Sequence, residues 1–277
     1  MEIVYLGTGA AEGIPALFCN CEYCNGVRKR GGREIRSRSQ VLIDSELSID
    51  FPPDAFYHNA FLGAELYKMR YLLITHSHMD HFYAHDFVLR GYKYARDLQP
   101  LDIYANGEAL AVFEECTRRE MRKEVNSLIR LHRLEAFRPA AFGGWRVVPL
   151  PATHSSKEPF VFSLQKGDKR ILHLTDTGYL SEESFLYLER EKGSKFDLIT
   201  FDCTFLFDGV SENARHMGLK ENEKIVERLQ KAGLLDAHTK KVLTHFSHNA
   251  APDPKKLERA EREFDCVAAY DGMKLTL

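Results

Sequence analysis

The sequence lacks a long hydrophobic run and a strong excess of charge of either sign. Its 277 residues carry 38 lysines and arginines against 40 aspartates and glutamates, for a net charge of −2. Such a balance offers no general attraction to nucleic acid or to an anionic membrane surface. No apolar stretch approaches the roughly 20 residues that span a bilayer. We therefore expect neither a membrane nor a nucleic acid as a partner.

A secretion signal and a disulfide framework are also lacking. The chain begins with Glu2–Leu6, which reads as a first strand without a basic start or a long apolar core. There are only six cysteines, and three of them lie too close together for a sensible mutual disulfide network. Free thiols suit a reducing compartment, so we predict a cytoplasmic location.

Histidine and aspartate are concentrated in one short run, Thr75-His76-Ser77-His78-Met79-Asp80-His81. Imidazole and carboxylate hold first-row divalent metals, and a catalytic ion keeps one position open for water. The run follows Tyr71–Ile74, an apolar segment typical of a buried strand. His76 and His78 can face one ion, while Asp80 and His81 turn towards a second. The alternative is a polar loop that is rich in histidine by chance.

Three further candidate ligands argue against chance, and each follows an apolar run: His154, Asp176 and His245. A strand followed by a ligand, repeated along the chain, is how a sheet gathers distant residues along one edge. Taken singly, each of these histidines would be read as a capped or surface side chain. As an ordered set with the first run they give five histidines and two aspartates, enough for two ions bridged by one carboxylate and one water.

Cys19, Cys21 and Cys24 form a second cluster. This spacing suits thiolates that converge on one tetrahedral zinc, with a fourth ligand from elsewhere. A redox-active or simply reduced loop is the competing interpretation. The other three cysteines, Cys116, Cys203 and Cys266, are isolated and read as ordinary buried thiols.

Strands alternate with a few helices along the chain. The pattern predicts a hairpin from Ser39–Asp44 to Leu47–Asp50 and helices over Lys220–Ala232 and about Lys255–Phe264. A longer helix is predicted from Gly107 to about Leu134. It rests on the apolar stripe formed by Leu110, Phe113, Met121, Val125 and Leu128.

The His-x-His-x-Asp-His run, followed in order by His, Asp and His, resembles the metallo-β-lactamase superfamily over essentially the whole chain. Within it, the sequence is most similar to the phosphoribosyl cyclic phosphate phosphodiesterases of phosphonate breakdown, the PhnP type. The segments that carry this likeness are Leu6-Gly7-Thr8-Gly9, Glu12-Gly13-Ile14-Pro15, the cysteine cluster, Phe201-Asp202-Cys203, Thr244-His245-Phe246-Ser247-His248 and Tyr270-Asp271-Gly272-Met273.

The resemblance implies an α/β fold, the four-layer αββα sandwich, as a single domain over residues 1–277 with a zinc-binding insertion at about 17–30. It supplies His248 as the fourth ligand of a structural zinc. It also implies two divalent ions at the active site, manganese or zinc, with iron and nickel as further options. We expect His76, His78 and His154 on one ion, Asp80, His81 and His245 on the other, and Asp176 as the bridge.

Three roles around the metals also follow from the resemblance. Asp50 would orient a metal ligand, although Phe-Pro-Pro-Asp follows it where the family usually has a glycine. His216 would protonate the leaving alkoxide or contact the phosphate; alone, it would read as a surface histidine at a helix start. We count His216 and Asp80 as the catalytic residues.

The implied activity is hydrolysis of a small cyclic phosphate ester by a metal-activated hydroxide, with phosphoribosyl 1,2-cyclic phosphate as substrate and a homodimer as the implied assembly. One alternative is an endoribonuclease of the tRNA 3′-end type, whose long Gly- and Pro-rich basic arm has no counterpart here. Others are a lactonase, thioesterase or β-lactamase, and a non-catalytic zinc-binding relative, against which the complete ligand set argues.

Overall fold

Two seven-stranded sheets and six α-helices make up the computed structural model over the residues that it describes, which are 1–91, 93–122, 128–191, 195–211 and 213–277. The strands are β1 Glu2–Gly7, β2 Gln40–Ile43, β3 Leu47–Ile49, β4 Tyr71–Leu73, β5 Leu101–Ala105, β6 Ile129–Arg133, β7 Ala140–Phe142, β8 Trp145–Pro151, β9 Phe160–Lys166, β10 Lys169–Leu174, β11 Leu198–Asp202, β12 Lys240–Thr244, β13 Val267–Ala268 and β14 Met273–Thr276. The helices are α1 Glu22–Arg30, α2 Ala55–Phe61, α3 Gly107–Thr117, α4 Glu182–Arg190, α5 Leu219–Lys231 and α6 Pro254–Phe264. Short 3-10 helices lie at Gly32–Glu34, Leu66–Lys68, Ala84–Arg90 and His248–Ala250.

The two sheets have the same plan. The first runs β14-β1-β2-β3-β4-β5-β6 and the second β13-β12-β11-β10-β9-β8-β7. In each sheet, one half pairs antiparallel and the other half pairs parallel. The carboxyl ends of parallel strands meet at one edge of a sheet, which is where loops that carry ligands can come together.

Three apolar layers hold the sheets and helices together. Side chains such as Tyr5 and Phe162 fill the space between the two sheets. The outer face of the second sheet packs against α4, α5 and α6. The outer face of the first sheet packs against α3 and the 3-10 helix at Ala84–Arg90. The order is helix, sheet, sheet, helix, so the predicted four-layer sandwich is confirmed.

The sequence patterns of α5 and α6 explain where these helices lie. On α5, Ile225, Val226 and Leu229 recur at helical spacing and are buried against the second sheet. α6 begins with Pro254 directly after Asp253, whose side chain accepts a hydrogen bond from the backbone N–H of Lys256. Both helices agree with their prediction to within one residue at each end.

The predicted helix from Gly107 to about Leu134 is wrong in its second half. The helix ends at Thr117, and Ile129–Arg133 forms β6, which pairs parallel with β5. Leu110 and Met121 still pack against the same apolar layer as Phe113, the first from the helix and the second from the loop after it. Their spacing imitated a helical stripe because they share that layer. Val125, which was part of the stripe, lies outside the described residues.

None of the helices in the described part of the chain combines the length and the apolar character needed to cross a membrane.

Candidate metal centre

Seven histidine and aspartate side chains from four loops converge at the edge of the sandwich where β4, β8, β10 and β12 end. Their ligand atoms form two groups, and within each group all of these atoms lie within 4.8 Å of one another. The first group is His76, His78, His154 and Asp176, and the second is Asp80, His81, Asp176 and His245. Asp176 belongs to both groups, so the two form one continuous cluster. These are the seven residues and the two groups that the sequence predicted.

The backbone turns sharply at several of these positions. Asp50, Asp176 and His245 have φ angles of 63°, 53° and 61°. Few residues other than glycine adopt this left-handed conformation, and it persists where the surrounding structure holds it in place. Asp50 and His245 directly follow a strand, and Asp176 is the second residue after one. The turn therefore directs each side chain back across the edge of the sheets.

Asp50 holds His81 in one orientation. Its Oδ2 lies 2.6 Å from Nδ1 of His81, and its Oδ1 accepts hydrogen bonds from the backbone N–H and hydroxyl of Thr75 at 2.8 and 2.9 Å. All three residues are buried. With Nδ1 engaged, Nε2 of His81 is left to face the cluster, as is usual for a metal-binding histidine with a carboxylate partner.

Asp202 and Thr204 do the same for His245, and neither was given a role from the sequence. The Thr204 hydroxyl lies 2.9 Å from Nδ1 of His245, and Oδ2 of Asp202 lies 3.3 Å from the same nitrogen. Two signals point to this pair: Phe201-Asp202-Cys203 is one of the segments that carry the family resemblance, and β11 is adjacent to the strands that carry Asp176 and His245.

Several buried atoms of the cluster have no hydrogen-bond partner, which indicates whether metal ions fit there. The Nε2 atoms of His76, His81 and His245, and Nδ1 of His154, are buried and make no hydrogen bond. A buried polar atom without a partner costs free energy, so four of them directed at one place need an explanation. Oxygens of Asp176 lie 3.0–3.8 Å from these nitrogens. Lone pairs of nitrogen and oxygen that face a common centre are what two divalent ions require.

Charges in the cluster are strongly coupled. Burial opposes a charge on His81, but Asp80 and Asp50 outweigh it and raise the pKa of His81 well above its usual range. Burial likewise opposes the charge of Asp176, yet the neighbouring histidines hold the pKa of this carboxyl well below its usual range. The cluster therefore keeps carboxylates ionised in a buried place, which favours cations.

His216 lies at the side of the cluster, on the loop between β11 and α5. Its Nδ1 is 3.1 Å from Oδ1 of Asp176 and 3.3 Å from Oδ2 of Asp202, and its ring stacks on His245 with 5.5 Å between centroids. Burial opposes protonation of His216, but the contacts with the two aspartates outweigh it and raise its pKa to about 10. The surface-histidine interpretation is thus wrong: this side chain faces the cluster.

A cavity of about 290 Å³ opens onto the cluster. Ligands from both metal groups form one side of it, together with His216. The remaining wall consists of Ala10, Ala11, Glu12, Ser155, Thr204, Phe205, Ser247 and Asn249. The cavity has room for a small molecule beside the metal groups.

The cysteine cluster forms a separate site. Ligand atoms of Cys19, Cys21, Cys24 and His248 all lie within 4.8 Å of one another, with Nδ1 of His248 3.4 Å from Sγ of Cys24. A backbone N–H from Cys24 and the His248 side chain lower the pKa of the Cys21 thiol to about 6. Three sulfurs and one imidazole nitrogen fit a tetrahedral zinc. The other three cysteines are not part of this cluster.

Comparison with known proteins identifies the family. The family described as "Beta-lactamase superfamily domain" matches residues 40–246, so the chain belongs to this family. It is 25% identical over 282 aligned positions to an octanoyltransferase of Porphyromonas gingivalis, and 28% identical over 122 residues to the exodeoxyribonuclease WalJ of Streptococcus pneumoniae. These alignments cover 99% and 44% of this chain. The chain spans about half of the length of the first relative, 51%, and 41% of the second.

Solved structures share the fold over the full chain. A diphosphatase of the PhnP family matches with a TM-score of 0.72 and 20% identity, and covers 100% of this chain and 97% of its own. Zinc-bound PqqB of Methylobacterium extorquens gives 0.69 and 17%, with 100% of both chains covered, and short-form human tRNase Z gives 0.67 and 17%, with 100% and 99% covered. The predicted superfamily and fold are confirmed. The prediction of a dimetal hydrolase agrees with this family and with the two ligand groups.

Proposed function

We propose that this protein is a metal-dependent phosphodiesterase that opens a small cyclic phosphate ester. The observation that carries the proposal is the sharing of Asp176 by two four-residue ligand groups, directly beside His216 and an open cavity. Two ions held in this way would supply a water of lowered pKa and positive charge for the phosphoryl oxygens. Three of the similar proteins also support it, because they are named as a diphosphatase, a tRNase Z and an exodeoxyribonuclease, which are enzymes that act on phosphate linkages.

The side chains of the protein have separate tasks in this proposal. Asp50 and Thr204 keep one nitrogen of His81 and of His245 engaged, so that the opposite nitrogen stays directed at the cluster. His216 has Nδ1 against Asp176 and Asp202, which fixes its ring and raises its pKa. A proton on its Nε2 is then available to the oxygen that leaves when the ester bond breaks.

The size and chemistry of the cavity support a small substrate. A volume of about 290 Å³ can hold a group of the size of a sugar phosphate. On the cavity wall, the side chains of Ser155 and Asn249 can form hydrogen bonds with hydroxyl groups of a substrate, and Phe205 provides an apolar surface. Phosphoribosyl 1,2-cyclic phosphate, the substrate implied by the sequence resemblance, is therefore the first candidate, with hydrolysis to a ribose bisphosphate in phosphonate breakdown.

The test is hydrolysis by manganese-loaded protein of three substrates in parallel: phosphoribosyl 1,2-cyclic phosphate, a 2′,3′-cyclic nucleotide and a precursor tRNA. We expect preference for the sugar cyclic phosphate and loss of all turnover in Asp176→Asn. Exposed Asp168→Asn is the matched control. Cleavage of the tRNA alone would replace the proposal by the endonuclease, and no hydrolysis of any phosphodiester would refute it.

A further inference from the structure

The N-terminus of α3 contacts two of the loops that carry metal ligands. Oε2 of Glu108, in the first turn of this helix, accepts a hydrogen bond from the hydroxyl of Ser77 at 2.7 Å. The same oxygen accepts one from the backbone N–H of Lys157 at 3.1 Å. Ser77 lies between His76 and His78, and Lys157 lies three residues after His154. One carboxylate oxygen thus joins the loops that supply three of the four ligands of the first group.

Asn106 fixes the position of this helix start. Its Oδ1 accepts a hydrogen bond from the backbone N–H of Ala109 at 2.7 Å and so caps α3. Its Nδ2 donates to the backbone carbonyls of Lys157 and Glu158 at 3.1 and 2.7 Å. Asn106 is fully buried, at 0% exposure. The loop after β8 is therefore held by three hydrogen bonds from the first residues of one helix.

These contacts cross between the two sheets. The loop with Ser77 follows β4 in the first sheet, and the loop with Lys157 follows β8 in the second. A backbone hydrogen bond from the N–H of Phe160 to the carbonyl of Thr75 joins the two loops at 2.8 Å. The start of α3 adds contacts to both loops at Ser77 and Lys157, closer to the metal ligands, and can therefore help to fix the distance between His76, His78 and His154.

We propose that Glu108 is a positioning residue for the metal group of His76, His78, His154 and Asp176. The inference rests on the proposed function only in taking this group to hold an ion. The second group has its own supports, Asp50 behind His81 and the Asp202–Thr204 pair behind His245. Within the described residues, Glu108 hydrogen-bonds Ser77 and Lys157 and neither of those supports. Ser77 shares its loop with Asp80 and His81, but His81 is held independently by Asp50, so loss of Glu108 should act mainly on the first group.

The test measures metal affinity without substrate, by competition with a chromophoric chelator for Mn²⁺ or Zn²⁺ on the whole protein. Removal of a residue that orients metal ligands through a hydrogen bond commonly costs about 10- to 100-fold in metal affinity. We expect Glu108→Ala to weaken one of the two active-site ions by this factor and to leave the other unchanged. Glu108→Gln keeps an acceptor oxygen at the same place and should restore most of the affinity. Glu114→Ala, an exposed change on the same helix, is the control.

A second substitution assigns the effect to its group. His154→Ala should remove the ion of the first group, and adding Glu108→Ala to it should not weaken the remaining ion further. If Glu108→Ala fails to fold, Ser77→Ala removes the other partner of the same hydrogen bond and should lower the affinity for the same ion. Unchanged affinities in Glu108→Ala or Ser77→Ala, or an equal weakening of both ions, would overturn the inference. A failure of the proposed function would appear only in the hydrolysis assay, because these affinities are measured without substrate.

Discussion

At the scale of single residues, the site depends on side chains that hold other side chains. His81 and His245 each have one nitrogen engaged by a neighbour, Asp50 or Thr204, and the other directed at the cluster. His216 is held in the same way by Asp202, the aspartate that also approaches His245. A buried carboxylate thus serves two histidines, so a single change at Asp202 would disturb a metal ligand and a proton donor together.

His216 offers the clearest separation of chemistry from metal binding. His216 also forms a group of four with Asp176, Asp202 and His245, but it belongs to neither of the two groups that carry the proposal. On the proposal that those two groups hold the ions, His216→Ala should leave the metal content normal. Turnover should fall by about 10²- to 10⁴-fold, the usual contribution of a positioned general acid. Metal analysis and kcat measured on the same preparation check this. Normal turnover in the variant would remove His216 from the mechanism.

A buried histidine away from the metals makes stability depend on pH. His58, on α2, has Nδ1 2.6 Å from Oε1 of Gln40 and Nε2 2.7 Å from the Ser37 hydroxyl. Burial lowers the pKa of His58 to about 4. The negative charge of Asp54 acts to raise this pKa, and the positive charge of Arg38 acts to lower it further. The unfolded chain, in which the pKa of histidine is about 6.5, therefore binds the proton first as the pH falls.

Stability should then decrease as the pH is lowered from about 6.5 to 4, by up to about 3 kcal/mol for this group. Urea unfolding of the wild type and of His58→Gln at a series of pH values checks the prediction. The difference between the two proteins removes the contribution of the active-site histidines. Parallel curves for the two proteins in this range would contradict it.

At the scale of elements, the sequence could predict the strands that carry ligands but not the supports between loops. Each apolar run before a ligand, such as Tyr71–Ile74 before His76, predicts a strand that ends just before that ligand. The support of Glu108 for Ser77 and Lys157 joins residues 31 and 49 positions away, which no local pattern encodes. The same reasoning explains why the helix was wrongly predicted to continue from Thr117 to about Leu134, because packing on a shared layer produced a spacing that looked helical.

Gly178 joins two elements of the site through close packing. A Cβ at this buried position would lie 1.9 Å from the carbonyl oxygen of Ala214, two residues before His216. Gly178→Ala must push the His216 loop away, so we expect lower kcat with normal metal content and a loss of stability of about 1–3 kcal/mol. Gly209→Ala is the control, since a Cβ there meets nothing within 4 Å. Equal kinetics and urea midpoints in the two variants would contradict the prediction.

At the scale of the whole molecule, the two predicted metal sites share their supporting segments. The chain from His245 to His248 supplies one ligand to each site, and the segment from Ala10 to Cys24 begins at the cavity wall and ends in the thiolate cluster. Glu12 lies between them, with Oε1 2.6 Å from the Ser247 hydroxyl. The order of ligands along the sequence predicted the active-site set and the three cysteines, whereas His248 came from the family resemblance. Their proximity could be seen only once the fold brought the segments together.

The thiolate cluster should hold its ion more firmly than the active site does. Three sulfur ligands and one imidazole fill a tetrahedral zinc completely, whereas the active-site ions keep positions open. Mild chelation should therefore leave one ion per chain in the wild type and none in Cys24→Ser. Cys116→Ser, outside the cluster, is the control. Metal analysis after chelation that finds no retained ion in the wild type, and X-ray absorption without zinc–sulfur scattering, would contradict the assignment.

The most direct test of the central claim is a titration of activity against bound metal. Protein that retains its thiolate-bound ion but has an empty active site is refilled stepwise with Mn²⁺, and hydrolysis of a cyclic phosphate diester is followed at each step. Two groups that share Asp176 predict activity that appears with the second active-site equivalent and is lost in Asp176→Asn. Full activity at the first equivalent, or activity that is independent of added metal, would contradict a dinuclear phosphodiesterase.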